Sequence, residues 1–175
     1  MTSYSRVTDP QQRVDLEDRA DILELLTYYA LLFDSEDLDG VVDLFTEDAY
    51  IEFSFDFGNA GKVVVNGKAE LRPFWADNFE SARQGGTLVR RHGQPNTVLR
   101  RLSDNKVAGT TMAMIGWRAT PGSNAWYGAE PHDPTYITGL YEDEFTKIGG
   151  LWFFSRRVGT FDQPLPGFSM PDPNN

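Results

Sequence analysis

The feature that most constrains this chain is a change of hydrophobic period near residue 50. In "DLEDRADILELLTYYALLFD" (15–34), Leu16, Ile22, Leu23, Leu25, Leu26, Tyr29 and Phe33 fall on one broad stripe at helical spacing. Asp15 stands at the expected N-cap, with acidic residues in the first turn where the helix dipole favours them. "SEDLDGVVDLFTED" reads as a second, short helix with Leu38, Val41, Val42 and Phe45 inward. The repeat then falls to two. Ile51, Phe53, Phe55 and Phe57 alternate with Tyr50, Glu52, Ser54 and Asp56, the mark of a strand.

"GKVVVNG" is a short strand closed by a turn at Asn66-Gly67, and "KAELRPFWADNFESARQ" returns to helix. Pro73 is expected near the start of that helix or at a kink. Longer strands are expected over 87–102, 106–120, 135–147 and 151–161. They break at "SDN", at the Gly/Pro-rich "TPGSNAWYGAEPHDP" and at "IGG". Helices followed by a run of antiparallel strands define an α+β class. The expected organisation is a polar arm over 1–14, one domain over 15–161 and a proline-rich extended tail over 162–175. The late strands are apolar on both faces, with Trp152 and Phe154 on one side and Leu151, Phe153 and Phe161 on the other. The chain's own helices cover one sheet face only, so a homo-oligomer, dimer or trimer, is expected.

A chain of 175 residues without cysteine excludes disulfides, thiolate metal sites and a cysteine nucleophile. Neither a signal peptide nor a membrane span is read in it, and the expectation is a soluble cytoplasmic protein. Net charge is −10, and residues 1–56 hold 15 acids against 3 bases, which argues against nucleic acid or anionic membrane as partner. The basic concentrations are the pairs Arg90/Arg91, Arg100/Arg101 and Arg156/Arg157, ordinarily a solvated strand face. No glycine-rich phosphate loop or nucleophile elbow occurs. Two histidines without ligand spacing speak against a metal site. The expectation is cofactor-free acid–base chemistry on a small molecule in an apolar cavity.

Asp34 stands where the apolar stripe runs out. It either caps "SEDLDG" or faces the interior, where a carboxylate needs a partner to offset its desolvation. His92 lies in "LVRRHGQPNTV", where Gly93 and Pro95 suggest a bulge that re-aims a side chain. Tyr29 is either core or a hydroxyl donor, with Tyr28 a second candidate. Arg156 shares strand parity with Trp152 and Phe154, and Arg157 with Phe153 and Phe161, so parity leaves the choice between them open. Asn96 is a turn residue or, if alternation resumes, a substrate ligand on the His92 face. Phe53, Phe74, Trp117 and Tyr141 are core or pocket lining. Trp126, Tyr127 and His132 lie in a loop long enough for a lid or an oligomer contact.

Three stretches resemble the SnoaL-like family of the nuclear-transport-factor-two-like superfamily. They are "EDRADILELLTYYALLFDSEDLDGVVDLFTEDAYIEF", "RRHGQPNTVLRRLSDNKVAGTTMAMIGW" and "GLYEDEFTKIGGLWFFSRRV". The resemblance implies a cone-shaped curved antiparallel sheet packed on N-terminal helices. Asp34 and His92 match the aspartate and histidine of its dehydratases and dehydrohalogenases, such as scytalone dehydratase, bile-acid dehydratase and hexachlorocyclohexane dehydrochlorinase. Tyr29 matches a tyrosine of the bile-acid enzyme, and Arg157 the arginine placed near the leaving group in the dehydrochlorinase. Phe33 and Phe53 stand where scytalone dehydratase has tyrosines, which argues against the scytalone substrate. The implied activity is a cofactor-independent lyase acting through a His–Asp pair on a small cyclic or polycyclic apolar substrate. The resemblance also admits an isomerase, cyclase or epoxide hydrolase, or a structural subunit like the beta subunit of ring-hydroxylating oxygenases.

Overall fold

The computed structural model describes residues 6–55, 58, 61–84, 86–119 and 135–162. The expected lid with Trp126, Tyr127 and His132, the tail beyond Asp162, and Asp56 and Phe57 lie outside the described residues. Helix α1 (Leu16–Asp34) starts at Asp15, whose carboxylate accepts the Asp18 N–H at 3.0 Å. Its buried face is Asp18, Ile22, Leu25, Leu26, Tyr29 and Phe33. Leu16, expected on that stripe, is 86% exposed. At about 100° per residue it points away from Asp18. Asp18 turns inward instead, accepting bonds from Trp152 Nε1 at 3.0 Å and Lys147 Nζ at 2.7 Å.

The second helix, α2 (Leu38–Asp43), is shorter than expected, and Phe45 begins strand β1 (Phe45–Ser54). Asp37 caps α2, accepting the Gly40 N–H at 2.9 Å. Asp34 is therefore not its cap. Strand β2 (Lys62–Asn66) leads into α3 (Gly67–Gln84), which continues through Pro73 and buries Leu71, Trp75, Phe79 and Ala82. The strands β3 (Thr87–Gly93), β4 (Val98–Ser103), β5 (Lys106–Ala119), β6 (Thr135–Ile148) and β7 (Leu151–Phe161) follow. The single strand expected over 87–102 is thus two. Asn96, at φ 60°, turns the chain between them, and both pair with β5.

The sheet runs β2-β1-β7-β6-β5-β3, with β4 also on β5, and is curved and unclosed. Its pairs are antiparallel except β1 with β7, which run parallel, so the sheet is mixed rather than wholly antiparallel. No hairpin joins β1 to β7, and no turn therefore dictates their direction. The register of β7 against β6 shifts between Phe154 and Arg156, leaving Ser155 as an extra residue. That bulge reverses parity. Trp152 and Phe154 face the core before it, and Arg157, Gly159 and Phe161 after it. Leu151 is exposed.

The three helices, among the described residues, pack on one face of the curved sheet. There the absent side chain of Gly159 makes room for aromatic rings. A Cβ at that position would stand 2.7 Å from Phe53 Cδ1 and 3.1 Å from Tyr141 Cε1. The opposite face carries Val98, Met112, Met114 and Tyr136, all exposed. No helix among the described residues is long and apolar enough to cross a membrane. The apolar strip is where a second copy is expected to pack. Sedimentation equilibrium at micromolar concentration should show an oligomer, and Met112→Lys with Tyr136→Lys should shift it toward monomer while the fold survives. A wild-type monomer would remove this expectation.

Candidate active site

Asp34 is the last residue of α1, and its carboxylate grips His92 of β3 at two points. Oδ2 accepts the His92 backbone N–H at 2.9 Å, and Oδ1 stands 2.6 Å from ring Nδ1. The Nδ1–H donates to the carboxylate, which fixes the tautomer and leaves Nε2 as the basic nitrogen. Both side chains are more than nine-tenths buried. The ring packs edge-on against Phe33 at 4.7 Å and Tyr29 at 6.0 Å. Burial pushes the His92 pKa below its ordinary 6.5, against the Asp34 carboxylate, which works to raise it. The imidazole is therefore neutral near pH 7, the form a proton acceptor must have.

His92 lines a cavity of about 200 Å³ between the curved sheet and α3. Its walls are largely aromatic, with Tyr29, Phe33, Phe53, Phe74, Trp75, Tyr141 and Phe161 among them. An apolar cavity of about 150 Å³ suffices for benzene. This one therefore suits a compact ring compound.

Tyr29 and Tyr141 are fully buried and line the cavity with His92. Burial raises both phenol pKa values, and the Arg157 guanidinium opposes the rise at each. Arg157 itself does not reach the cavity. Fully buried, it stands behind the two tyrosines, its Cζ 4.1 Å from the Tyr29 centroid and 4.2 Å from those of Tyr141 and Phe154. Asp143 accepts two bonds from it, Nε to Oδ1 and Nη2 to Oδ2, each 2.9 Å. Gln94 accepts a third from Nη2 at 3.0 Å and donates to the Leu26 carbonyl at 2.7 Å. Burial works to lower the Arg157 pKa, but the Asp143 carboxylate outweighs it and the net shift is upward. The arginine implied near a leaving group therefore packs against the tyrosines and not against the cavity. The bulge at Ser155, not any visible parity, selects Arg157 over Arg156.

Of the other expected binding residues, Phe53 and Tyr141 line the cavity. Tyr28 does not. It is 48% exposed, because one helical step of about 100° carries it off the face that holds Tyr29. Asn96 is exposed in the β3–β4 turn and donates to Met112 Sδ at 3.2 Å, so alternation does not resume from His92. Trp117 is core, buried opposite Arg90 in the β3–β5 register. Sequence reasoning missed Gln94, Asp143 and Arg90. Arg90 carried one signal, a two-residue spacing from His92 on a strand. Asp143 carried none. Among the described residues, no three His, Cys, Asp or Glu side chains converge as a metal site would need.

A carboxylate–imidazole pair beside an aromatic cavity, under helices on a curved mixed sheet, makes a candidate site in an α+β fold. The chain belongs to the SnoaL-like domain family, whose model matches residues 14–158. It is similar in structure to a protein of unknown function from Nostoc punctiforme, at TM-score 0.66 and 18% identity over 89% of this chain and 99% of that one. A candidate scytalone dehydratase from Novosphingobium aromaticivorans matches at TM-score 0.66 and 16% identity, covering 90% and 97%. A hexachlorocyclohexane dehydrochlorinase, LinA type 2, matches at TM-score 0.64 and 18% identity, covering 91% and 97%. At these identities the likeness carries the fold and not the activity. No curated protein matches the chain in sequence.

Two outcomes are expected from this geometry. His92 should titrate below 6.5 by NMR, and lower still in Asp34→Asn, which removes the opposing carboxylate. Because the unfolded chain then binds the proton more tightly, this residue's contribution to stability is complete above 6.5. It is lost as pH falls through the folded-state value. Arg157→Met should cost about 3–5 kcal/mol by leaving Asp143 buried and uncompensated. Arg157→Met with Asp143→Leu should recover much of that in denaturant melts.

Proposed function

We propose that the protein is a cofactor-independent lyase of the dehydratase or dehydrohalogenase type, acting on a small cyclic substrate. The observation that carries this reading is the 2.6 Å contact of Asp34 with His92 Nδ1, buried beside an aromatic cavity. Nε2 of His92 takes a proton from a carbon next to an activating group. The C–H electron pair becomes the new double bond, and the C–O or C–halogen bond breaks with its pair going to the leaving group. The step is redox-neutral, so it needs neither oxidant nor reductant. Asp34 holds the tautomer and stabilises the imidazolium as it forms. Tyr29 and Tyr141 offer hydroxyl groups to the developing negative charge, polarised by the Arg157 cation behind them. The open cavity supports this reading over a structural subunit, whose interior would be filled with side chains.

The test has two measurements. Hydroxylated and halogenated ring compounds are screened by mass spectrometry for loss of water or hydrogen halide. In D₂O, exchange of the activated C–H is followed separately, since proton abstraction precedes or accompanies elimination. Asp34→Asn and His92→Ala are each expected to lower both rates by about 10²- to 10⁴-fold. The double variant should be little worse than either, as groups acting as one unit are non-additive. Near-normal rates in Asp34→Asn, with the fold intact, would reject the paired base.

A further inference from the structure

A second recess shares no residue with the cavity at His92. It is a groove of about 1000 Å³ between the N-terminal arm, the start of α1 and strand β4. Four arginines converge on it from three elements: Arg6 and Arg13 from the arm, Arg19 from α1 and Arg100 from β4. No aspartate or glutamate lines it. The nearby carboxylates are engaged elsewhere. Asp9 and Asp15 cap the turns that follow them, and Asp15 and Asp18 take Arg101, which alternation puts on the opposite face of β4 from Arg100. Among the described residues, none of the four groove arginines forms an ion pair. Much of the remaining lining is apolar, with Val7, Val14, Val98 and Leu102, the last two more than half exposed. The strand itself is open on one side. Among the described residues β4 pairs with β5 alone, and the arm makes no backbone hydrogen bond to its other edge. Every second residue of an antiparallel strand turns its N–H and C=O away from its partner, so that edge presents unpaired backbone groups.

We propose that this groove docks an extended acidic peptide, which adds as a strand to the free edge of β4 and sets its carboxylates against the four arginines. Strand addition supplies backbone hydrogen bonds, and the side chains of alternate residues supply selectivity. The period of two lets one face of the peptide meet the arginines while the other lies on Val98 and Leu102. Edge strands are commonly guarded by charges of their own, which keep other chains away. Guards sit on the strand itself, whereas three of these four arginines come from the arm and α1. Gathering like charges from separate elements costs energy that an anionic partner offsets. A nucleic acid or anionic membrane would satisfy the charge but not the edge. At a net charge of −10 the chain as a whole repels such large surfaces, while a short peptide meets the local field within a Debye length. The docking is independent of the lyase reading.

The test uses the full-length protein and three labelled peptides of about seven residues, a typical strand length. One alternates glutamate and valine, the second has lysine for each glutamate, and the third is the acidic peptide N-methylated at alternate residues on its pairing edge. Binding is followed by fluorescence anisotropy and by the chemical shifts of the β4 amides. The acidic peptide should bind about tenfold or more tighter than the basic one, the scale of several exposed ion pairs together, and more weakly as salt is raised. N-methylation should cost about tenfold or more, since it removes the hydrogen bonds to the edge. Arg13→Glu with Arg100→Glu should reverse the charge preference while the His92 ring shifts stay unchanged. Arg6→Glu with Arg19→Glu, from which the same reversal is expected, covers the case in which the first variant fails to fold. No binding of the acidic peptide, equal binding of the N-methylated one, or a charge preference that survives both variants overturns the proposal. Arginines that only guard the edge would give self-association of the variants with no peptide bound by wild type. Protection of the β4 amides from hydrogen exchange that rises with protein concentration, with no peptide present, would make a second copy the occupant. Either result overturns the proposal as well.

Discussion

The rest of the site depends on how one carboxylate is satisfied. Asp34 ends α1 facing the interior, where an ionised group is tolerated only if its lone pairs find donors. Two of them come from a single residue of β3, the backbone N–H and the ring N–H of His92. The bond that solvates Asp34 therefore docks an outer strand onto the first helix. It also orients the imidazole, so a structural requirement and a chemical one are met by the same contact. Gln94, two residues on, repeats the motif from the other direction by bonding the α1 backbone and the Arg157 guanidinium.

Two buried cations flank that pair, and the protein handles them differently. Arg157 has a two-point carboxylate partner and three rings around it, so its field reaches the cavity through Tyr29 and Tyr141. Arg90 stacks on Phe33 and Phe79 and borders the cavity directly. Both work to lower the pKa of His92, as does burial, while Asp34 opposes them. The resulting balance keeps the ring neutral at physiological pH yet able to share its developing charge with a carboxylate. An acidic chain with a net charge of −10 thus buries two arginines near its candidate site.

Most of the architecture was legible along the chain. The period change near residue 50 marks helix and strand, because a half-buried helix and a half-buried strand need different repeats. Asp15 as cap, the breaks between the late strands, and Asp34 and His92 as partners were all visible, the last through a resemblance. Local cues failed where a neighbour, not the residue itself, set the outcome. Asp18 displaced Leu16 from the buried face, Asn96 folded one expected strand into two, and β1 found β7 in the parallel sense.

What the sequence determined by itself was the class of fold, the order of its elements and the residue types capable of acid–base chemistry. Those follow from periodicity, turn residues and composition, which are properties of neighbours in the chain. The tertiary structure decided which of those residues meet. The bulge at Ser155 turned Arg157 inward, and Asp143, with no signal of its own, became its counter-ion. Arg90, read as surface, became part of a cavity wall. The physical reason is that a buried charge is placed by its partners and by strand register. Both are set by contacts between residues far apart in sequence, as Asp34 and His92 are.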